Sequence, residues 1–177
     1  MSKSLRNMIM ASILIAVGIT LPMAFHTIQG AGRIFLPMHI PILLCGLLLG
    51  WKYGLAVGIL TPLLSHFFTG MPPGPMLPGM LFELTAYGAA AGLLTQIVRT
   101  KNTCANIYIA LIGAMLIGRI LMGILNALIF SVGEYSVQVW LTASFAAALP
   151  GIAIQVVLIP IIVLALNKAL KNGKSQY

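Results

Sequence analysis

The chain has 177 residues, of which 60% are hydrophobic and only 7% are charged. Soluble domains carry about 25% charged residues, so the composition excludes a water-soluble domain and predicts an integral membrane protein. The net charge of +8 comes from basic residues scattered singly between apolar runs. Such scattering is typical of membrane topology, and it argues against nucleic-acid binding.

Six apolar segments predict an all-α fold, a single bundle of six transmembrane helices that forms one domain over residues 1–177. A bilayer offers no water to the backbone, so spans of this kind must be helical. The predicted helices cover about residues 8–25, 34–50, 54–69, 79–98, 105–131 and 139–166. Between the second and third, Trp51-Lys52-Tyr53 is predicted as a tight turn. Prolines inside several helices predict kinks or broken turns, and the sixth helix is expected to be interrupted near Pro150-Gly151.

The basic residues predict the orientation of the bundle. If the N-terminus is cytoplasmic, the inner loops and tails collect Lys3, Arg6, Lys52, Arg99, Lys101, Lys168, Lys171 and Lys174, whereas the outer loops hold only Arg33. Cytoplasmic loops are enriched in Lys and Arg, so both termini are expected to be cytoplasmic. The Gly- and Pro-rich loops near residues 27–33 and 70–78 then face outward, as a receptor loaded from outside would need.

Two charged residues, Glu83 and Arg119, fall inside predicted spans. A charge within a span costs several kcal/mol on insertion scales and usually faces a bundle interior or a wet cavity. Glu83 lies nearer the outside, but arginine is long enough to reach it. The two residues therefore either contact a substrate or form an internal ion pair with no ligand role.

Further polar residues share faces with these charges. Arg119, Gly123 and Asn126 lie on one face of the fifth helix, and Glu83 and Tyr87 lie on one face of the fourth. Gln155 is a single polar residue in the sixth helix. These residues predict an inward polar stripe that lines a substrate pocket, although Asn126 and Gln155 could equally form interhelical hydrogen bonds.

Two histidines, His39 and His66, lie in the outer parts of their helices. They are candidates for the pocket lining, and their alternative role is hydrogen bonding between helices. A zinc site needs three or four ligands, so no metal is expected. Arg33 in the first outer loop is a further candidate for binding an anionic group of a substrate.

Small residues four apart, Ser12 with Ala16 and Gly54 with Gly58, allow a second helix to approach closely in lipid. They are candidate docking residues for a membrane partner, and packing within the bundle is the equal alternative.

The chain has no phosphate-binding loop and no catalytic set of side chains, and it has only two carboxylates. We therefore expect neither an enzyme nor a cofactor. The same lack of a carboxylate relay makes a self-sufficient secondary transporter the weaker alternative.

The stretch FLPMHIPILLCGLLLGWKYGLAVGILTPLLSHFFTGMPP, with Pro41, Gly46, Gly50 and Gly54, resembles the substrate-binding S components of energy-coupling factor (ECF) vitamin transporters. The resemblance extends over essentially the whole chain. It implies a multi-pass protein of the prokaryotic plasma membrane that binds a vitamin or related nutrient near the outer face. It also implies a transmembrane T component and two ATPase subunits as partners, with docking through AxxxA patterns that here read Ser12/Ala16 and Gly54/Gly58.

The expected function is therefore capture of a small water-soluble nutrient from outside and its delivery to an ATP-driven module. A secondary transporter and a membrane assembly factor without a ligand are the alternatives. The substrate stays open between pantothenate, a pyridoxine-like compound, a cobalamin precursor and other nutrients.

Overall fold

The computed structural model describes residues 2–25, 31–130 and 136–172, and these residues form helices with no strand. The α-helices are α1 Lys3–Ala24, α2 Ala31–Phe35, α3 His39–Leu49, α4 Trp51–Thr69, α5 Leu77–Ile97, α6 Thr103–Leu125, α7 Val137–Leu141 and α8 Leu149–Asn172. A short 3₁₀ turn, Gly74–Met76, precedes α5. Two π-helical segments, Asn126–Phe130 and Thr142–Ala146, continue α6 and α7.

Four helical segments in the described residues are long and apolar enough to cross a membrane. They are Lys3–Ala24, Gly74–Ile97, Thr103–Ile129 and Leu149–Lys168. His39–Leu49 and Val137–Ala146 are apolar but shorter. The chain is therefore an all-helical membrane protein with several spans, whereas the six-span count and the cytoplasmic termini stay predictions.

The second predicted helix, 34–50, is in fact divided into α2 and α3. Leu36 has a φ of 50°, and Pro37 follows it. Proline disfavours the helical conformation of the residue before it and has no N–H to donate, which accounts for the break. The predicted turn at Trp51-Lys52-Tyr53 is also wrong, because these residues form the first turn of α4. Gly50, at a φ of 91°, reverses the chain alone, as a residue without a Cβ can.

The sixth predicted helix, 139–166, is likewise divided. Its first part is α7 with the π segment, and α8 begins at Leu149. Pro150 was expected to interrupt the helix, but it lies in the first turn of α8, where a missing N–H costs nothing. The interruption is the turn at Ala147 and Ala148.

Helix α5 lies at the centre of the bundle, where it packs against α3, α4 and α6. Close approach to α4 depends on Gly54 and Gly88, because a Cβ on either glycine would overlap the backbone of the other. Such contacts between small residues are how helices pack closely in lipid, where no hydrophobic effect draws them together. The core around α5 includes Leu84, Tyr87 and Ala91, all fully buried.

Candidate functional site

Three polar side chains meet where α3 packs on α5; His39 and Tyr87 are buried and Glu83 is partly buried. The hydroxyl of Tyr87 donates a 2.9 Å hydrogen bond to Oε1 of Glu83, one turn earlier on α5. Nε2 of His39, the first residue of α3, lies 3.9 Å from the same oxygen. The rings of His39 and Tyr87 are 5.2 Å apart between centroids. Glu83 is therefore held between two aromatic rings from two helices.

Arg119 lies on α6 beside this cluster. The ring of Tyr87 packs directly on Gly118, so Arg119, the next residue of α6, lies at the same level of the bundle as Tyr87. Arg119 is only 3% exposed, and its Nη2 atom is buried without a hydrogen-bond partner. Among the described residues, the ion-pair contact within 4.0 Å is that of His39 with Glu83, and Arg119 makes none. A buried guanidinium of this kind has an unused donor.

Two aromatic residues hold α7 and its π segment against Arg119. The indole N–H of Trp140 donates a 3.0 Å hydrogen bond to the backbone oxygen of Arg119. Phe145 places its ring 5.4 Å from the guanidinium carbon, within the range of a cation–π contact. Sequence reasoning missed both residues. The π segment changes the helical register between them, so their spacing gave no indication that they converge.

Gln155 on α8 is fully buried and faces the break between α2 and α3. Its Nε2 atom lies 3.5 Å from the carbonyl oxygen of Leu36, which also accepts a 3.1 Å bond from the backbone N–H of His39. The Oε1 atom of Gln155 is buried without a hydrogen-bond partner, as are both ring nitrogens of His39. The break thus connects α8 to the start of α3, where the polar cluster begins.

A cavity of about 100 Å³ lies between α6 and α8. Arg119 and Phe145 form part of its wall, and the remaining lining is apolar: Ile112, Met115, Leu116, Ile152 and Val156. The surface of the cavity is therefore almost entirely apolar, and Ile112 and Leu116 in its wall are also exposed on the outside of the bundle.

The predicted residues Asn126 and His66 are not part of this cluster. Asn126 donates to the carbonyl of Met122 within its own helix, at 3.0 Å. Nδ1 of His66 lies 2.7 Å from the carbonyl oxygen of Pro72, so His66 attaches the following loop to the end of α4. Arg33 belongs to α2, and its side chain lies outside the described part of the chain.

The two candidate docking pairs differ in their surroundings. Ser12 and Ala16 are exposed on α1, and the Ser12 hydroxyl donates to the Met8 carbonyl of its own helix at 3.0 Å. Gly54 and Gly58 are buried, and a Cβ on Gly58 would lie 2.6 Å from the carbonyl oxygen of Leu84. The glycine pair is therefore occupied by packing against α5, and the α1 pair faces outward.

The cluster lies at one end of the bundle. His39, Glu83 and Gln155 are in the first two turns of their helices, and α6 reaches the same end near its C-terminus, where Arg119 lies. No group of three His, Cys, Asp or Glu side chains is close enough to hold a metal within residues 2–25, 31–130 and 136–172.

Several apolar helices thus enclose polar groups without hydrogen-bond partners beside a small cavity. Residues 6–163 match the profile of a family described as the substrate-specific component of ECF transporters. The match covers most of the chain, and the chain belongs to this family. Members are substrate-binding subunits of transporters. No curated protein and no solved structure matches the chain.

Proposed function

We propose that this chain captures a small water-soluble nutrient from outside the cell and delivers it through a T component driven by two ATPase subunits. In this proposal the chain contributes recognition only, because it has no phosphate-binding loop of its own. The protein would reside in a prokaryotic plasma membrane with both termini in the cytoplasm.

The observation that carries the proposal is the set of buried polar atoms without partners at one end of the bundle. They are Nη2 of Arg119, Oε1 of Gln155 and both ring nitrogens of His39. A buried polar group left unsatisfied costs about 1–3 kcal/mol. Binding of a solute with complementary polar groups would remove that cost, so the site favours a polar ligand.

The candidate binding residues are therefore Arg119, His39, Glu83, Tyr87 and Gln155. Glu83 accepts hydrogen bonds and Arg119 donates them, so together they can bind a molecule that has both acceptors and donors. Asn126, His66 and Arg33 are proposed as peripheral contributors near the mouth of the site.

Capture from outside is supported by the distribution of charge. Lys52 and Lys101 are exposed at the opposite end of the bundle from the polar cluster, near the turns that join α3 to α4 and α5 to α6. Since positive residues mark the cytoplasmic side, the cluster would face the medium. The loop before α5, attached by His66, lies at the cluster end and can cover the entrance.

Docking of the T component is proposed on α1. This helix has exposed small residues, Ser12 and Ala16, and exposed apolar neighbours such as Ile9 and Ile13. A flat patch of small side chains lets another helix approach closely. The buried pair Gly54 and Gly58 is assigned to packing within the bundle instead.

Mass spectrometry of small molecules released from the purified protein tests the capture step. A compound retained by the wild-type protein, and lost from Glu83→Ala but not from the exposed-site control Gln96→Ala, is the expected result. A protein that releases no small molecule and binds none from a nutrient extract would contradict the proposal.

Reconstitution in liposomes tests the delivery step. The chain alone should bind the released compound without transporting it, and transport should require the T component and hydrolysing ATPases. Uptake by the chain alone would identify a self-sufficient transporter.

A further inference from the structure

The cavity between α6 and α8 has a composition that restricts the chemistry of its occupant. Its wall contains one cation, Arg119, among side chains that are otherwise apolar. Ile112 precedes Arg119 by two helical turns on α6, which corresponds to about 10 Å. The apolar part of the wall therefore extends from the guanidinium along the helix and away from the polar cluster.

Arg119 forms part of the cavity wall, and its guanidinium is buried beside it. Arg119 is 97% removed from solvent, being only 3% exposed, and its Nη2 atom has no hydrogen-bond partner. The ring of Phe145, 5.4 Å from the guanidinium carbon, fixes it against the same wall. A buried donor that is charged and has no hydrogen-bond partner is complementary to an anionic acceptor.

We infer, on the basis of the proposed function, that the substrate carries a carboxylate bound by Arg119 and a compact apolar group that enters the cavity between α6 and α8. Glu83 already places one negative charge near the guanidinium. A doubly charged phosphate would therefore add more unpaired negative charge to the site than a carboxylate would, and burial of an unpaired charge is strongly unfavourable.

The size of the cavity limits the apolar group. Pockets for complete drug-sized ligands measure about 300–1,000 Å³, and this cavity is about 100 Å³. It therefore receives one end of the molecule. The polar remainder then lies toward His39 and Gln155, whose ring nitrogens and Oε1 atom are unpartnered.

The first test identifies the compound that the wild-type protein retains. Small molecules released from the purified protein are separated by charge and analysed by mass spectrometry. A retained monocarboxylic acid is the expected result. Retention of a neutral or cationic nutrient, or of phospholipid alone, would overturn this inference. Retention of a neutral or cationic nutrient would still leave the proposed function intact. A protein that retains and binds nothing would contradict the proposed function and this inference with it.

The second test assigns the carboxylate to Arg119. Probes are matched acids and neutral analogues: nicotinate with nicotinamide, lipoate with lipoamide and pantothenate with panthenol, together with the released compound and its amide. The wild-type protein should bind the acid of the released pair at least tenfold more tightly than the amide. Arg119→Met should abolish that preference, and Arg99→Met, at an exposed cation, should retain it.

Equal affinity of acid and amide in the wild-type protein would overturn the assignment, as would a preference that survives in Arg119→Met. If Arg119→Met does not fold, Arg119→Lys is tested instead. This variant keeps the positive charge but lacks the planar guanidinium, so it should weaken the preference for the acid over the amide. The identity of the retained compound needs no variant, so the inference stays testable in either case.

Discussion

Trp140 on α7 donates its indole N–H to the backbone oxygen of Arg119 on α6, across 3.0 Å. This bond joins the short α7 segment to the helix that bears the buried cation. The ring of Trp140 also lies edge-on to Phe145, with centroids 5.5 Å apart. The position of the Phe145 ring beside the guanidinium thus depends on Trp140.

Trp140→Phe should weaken binding of the retained compound by about two- to tenfold, because a net hydrogen bond contributes about 0.5–1.5 kcal/mol. Isothermal titration of the purified protein measures the change. The matched control is Trp51→Phe, since Trp51 lies at the opposite end of the bundle. Equal affinities of Trp140→Phe and wild type would contradict a positioning role.

Tyr87→Phe should lower the thermal stability of the protein in detergent. The substitution keeps the ring but removes the 2.9 Å bond to Glu83, whose Oε1 atom then loses a donor inside the bundle. The cost of such an unsatisfied buried group is about 1–3 kcal/mol. Tyr108→Phe is the control, because Tyr108 is 39% exposed. Equal melting temperatures of the two variants would show that the bond contributes nothing to folding.

Gly88→Ala should prevent stable folding, because the added Cβ would overlap the backbone of Gly54 on α4. Backbone atoms cannot move aside as a flexible side chain can, and overpacking typically costs about 1–3 kcal/mol or more. Gly58→Ala should have a similar effect, with Leu84 as the obstacle. Yield of monodisperse protein on size exclusion measures both.

The control for these glycines is Gly32→Ala, where nothing lies within 4 Å of the new Cβ. It should express as wild type does. If Gly58→Ala folds normally but no longer binds the T component, Gly58 would instead belong to the docking surface.

Leucine at positions 12 and 16 should impair assembly without affecting ligand binding. Ser12→Leu and Ala16→Leu place bulky side chains on the exposed face of α1 that we propose for docking. Co-purification with the T component and ATPases should fall, while affinity for the retained compound stays unchanged. Ala165→Leu, on the exposed surface of α8, is the control. Loss of ligand binding in the α1 variants would assign that face to the fold.

Accessibility labelling should place Lys52 in the cytoplasm and Gly74 outside. Single cysteines at these exposed positions, in a chain in which Cys104 is replaced by Ser, are treated with a membrane-impermeant maleimide. We expect labelling of Gly74→Cys in intact cells and of Lys52→Cys only after permeabilisation. The reverse pattern would contradict capture from outside.

Composition alone was sufficient to predict a helical membrane protein, because bilayer insertion requires apolar spans with internally bonded backbones. The family was predicted from the stretch around Pro41 to Gly54, and its assignment is confirmed by the match over residues 6–163. The local backbone conformation was harder to predict. Pro37 was expected to kink or break its helix, but the sequence did not indicate that the break divides it into two helices, with Leu36 at a φ of 50° between them.

The site was predictable only in part. Glu83, Tyr87, Arg119, His39 and Gln155 are conspicuous as polar residues in apolar spans, and the structure brings them to one end of the bundle. The function of Gly54 and Gly58 was not predictable, since small residues serve internal and external contacts equally well. Trp140 and Phe145 were not predicted as site residues, because aromatic residues are common in membrane spans.

The break between α2 and α3 also brings α8 very close to the backbone there. Gly151 faces the carbonyl oxygens of Ile34 and Phe35, and a Cβ at this position would lie 2.6 Å from the former. A larger residue at position 151 would therefore force α8 away from the backbone of α2. Because Gln155 lies one turn further along α8, its contact with the carbonyl oxygen of Leu36 would be displaced as well.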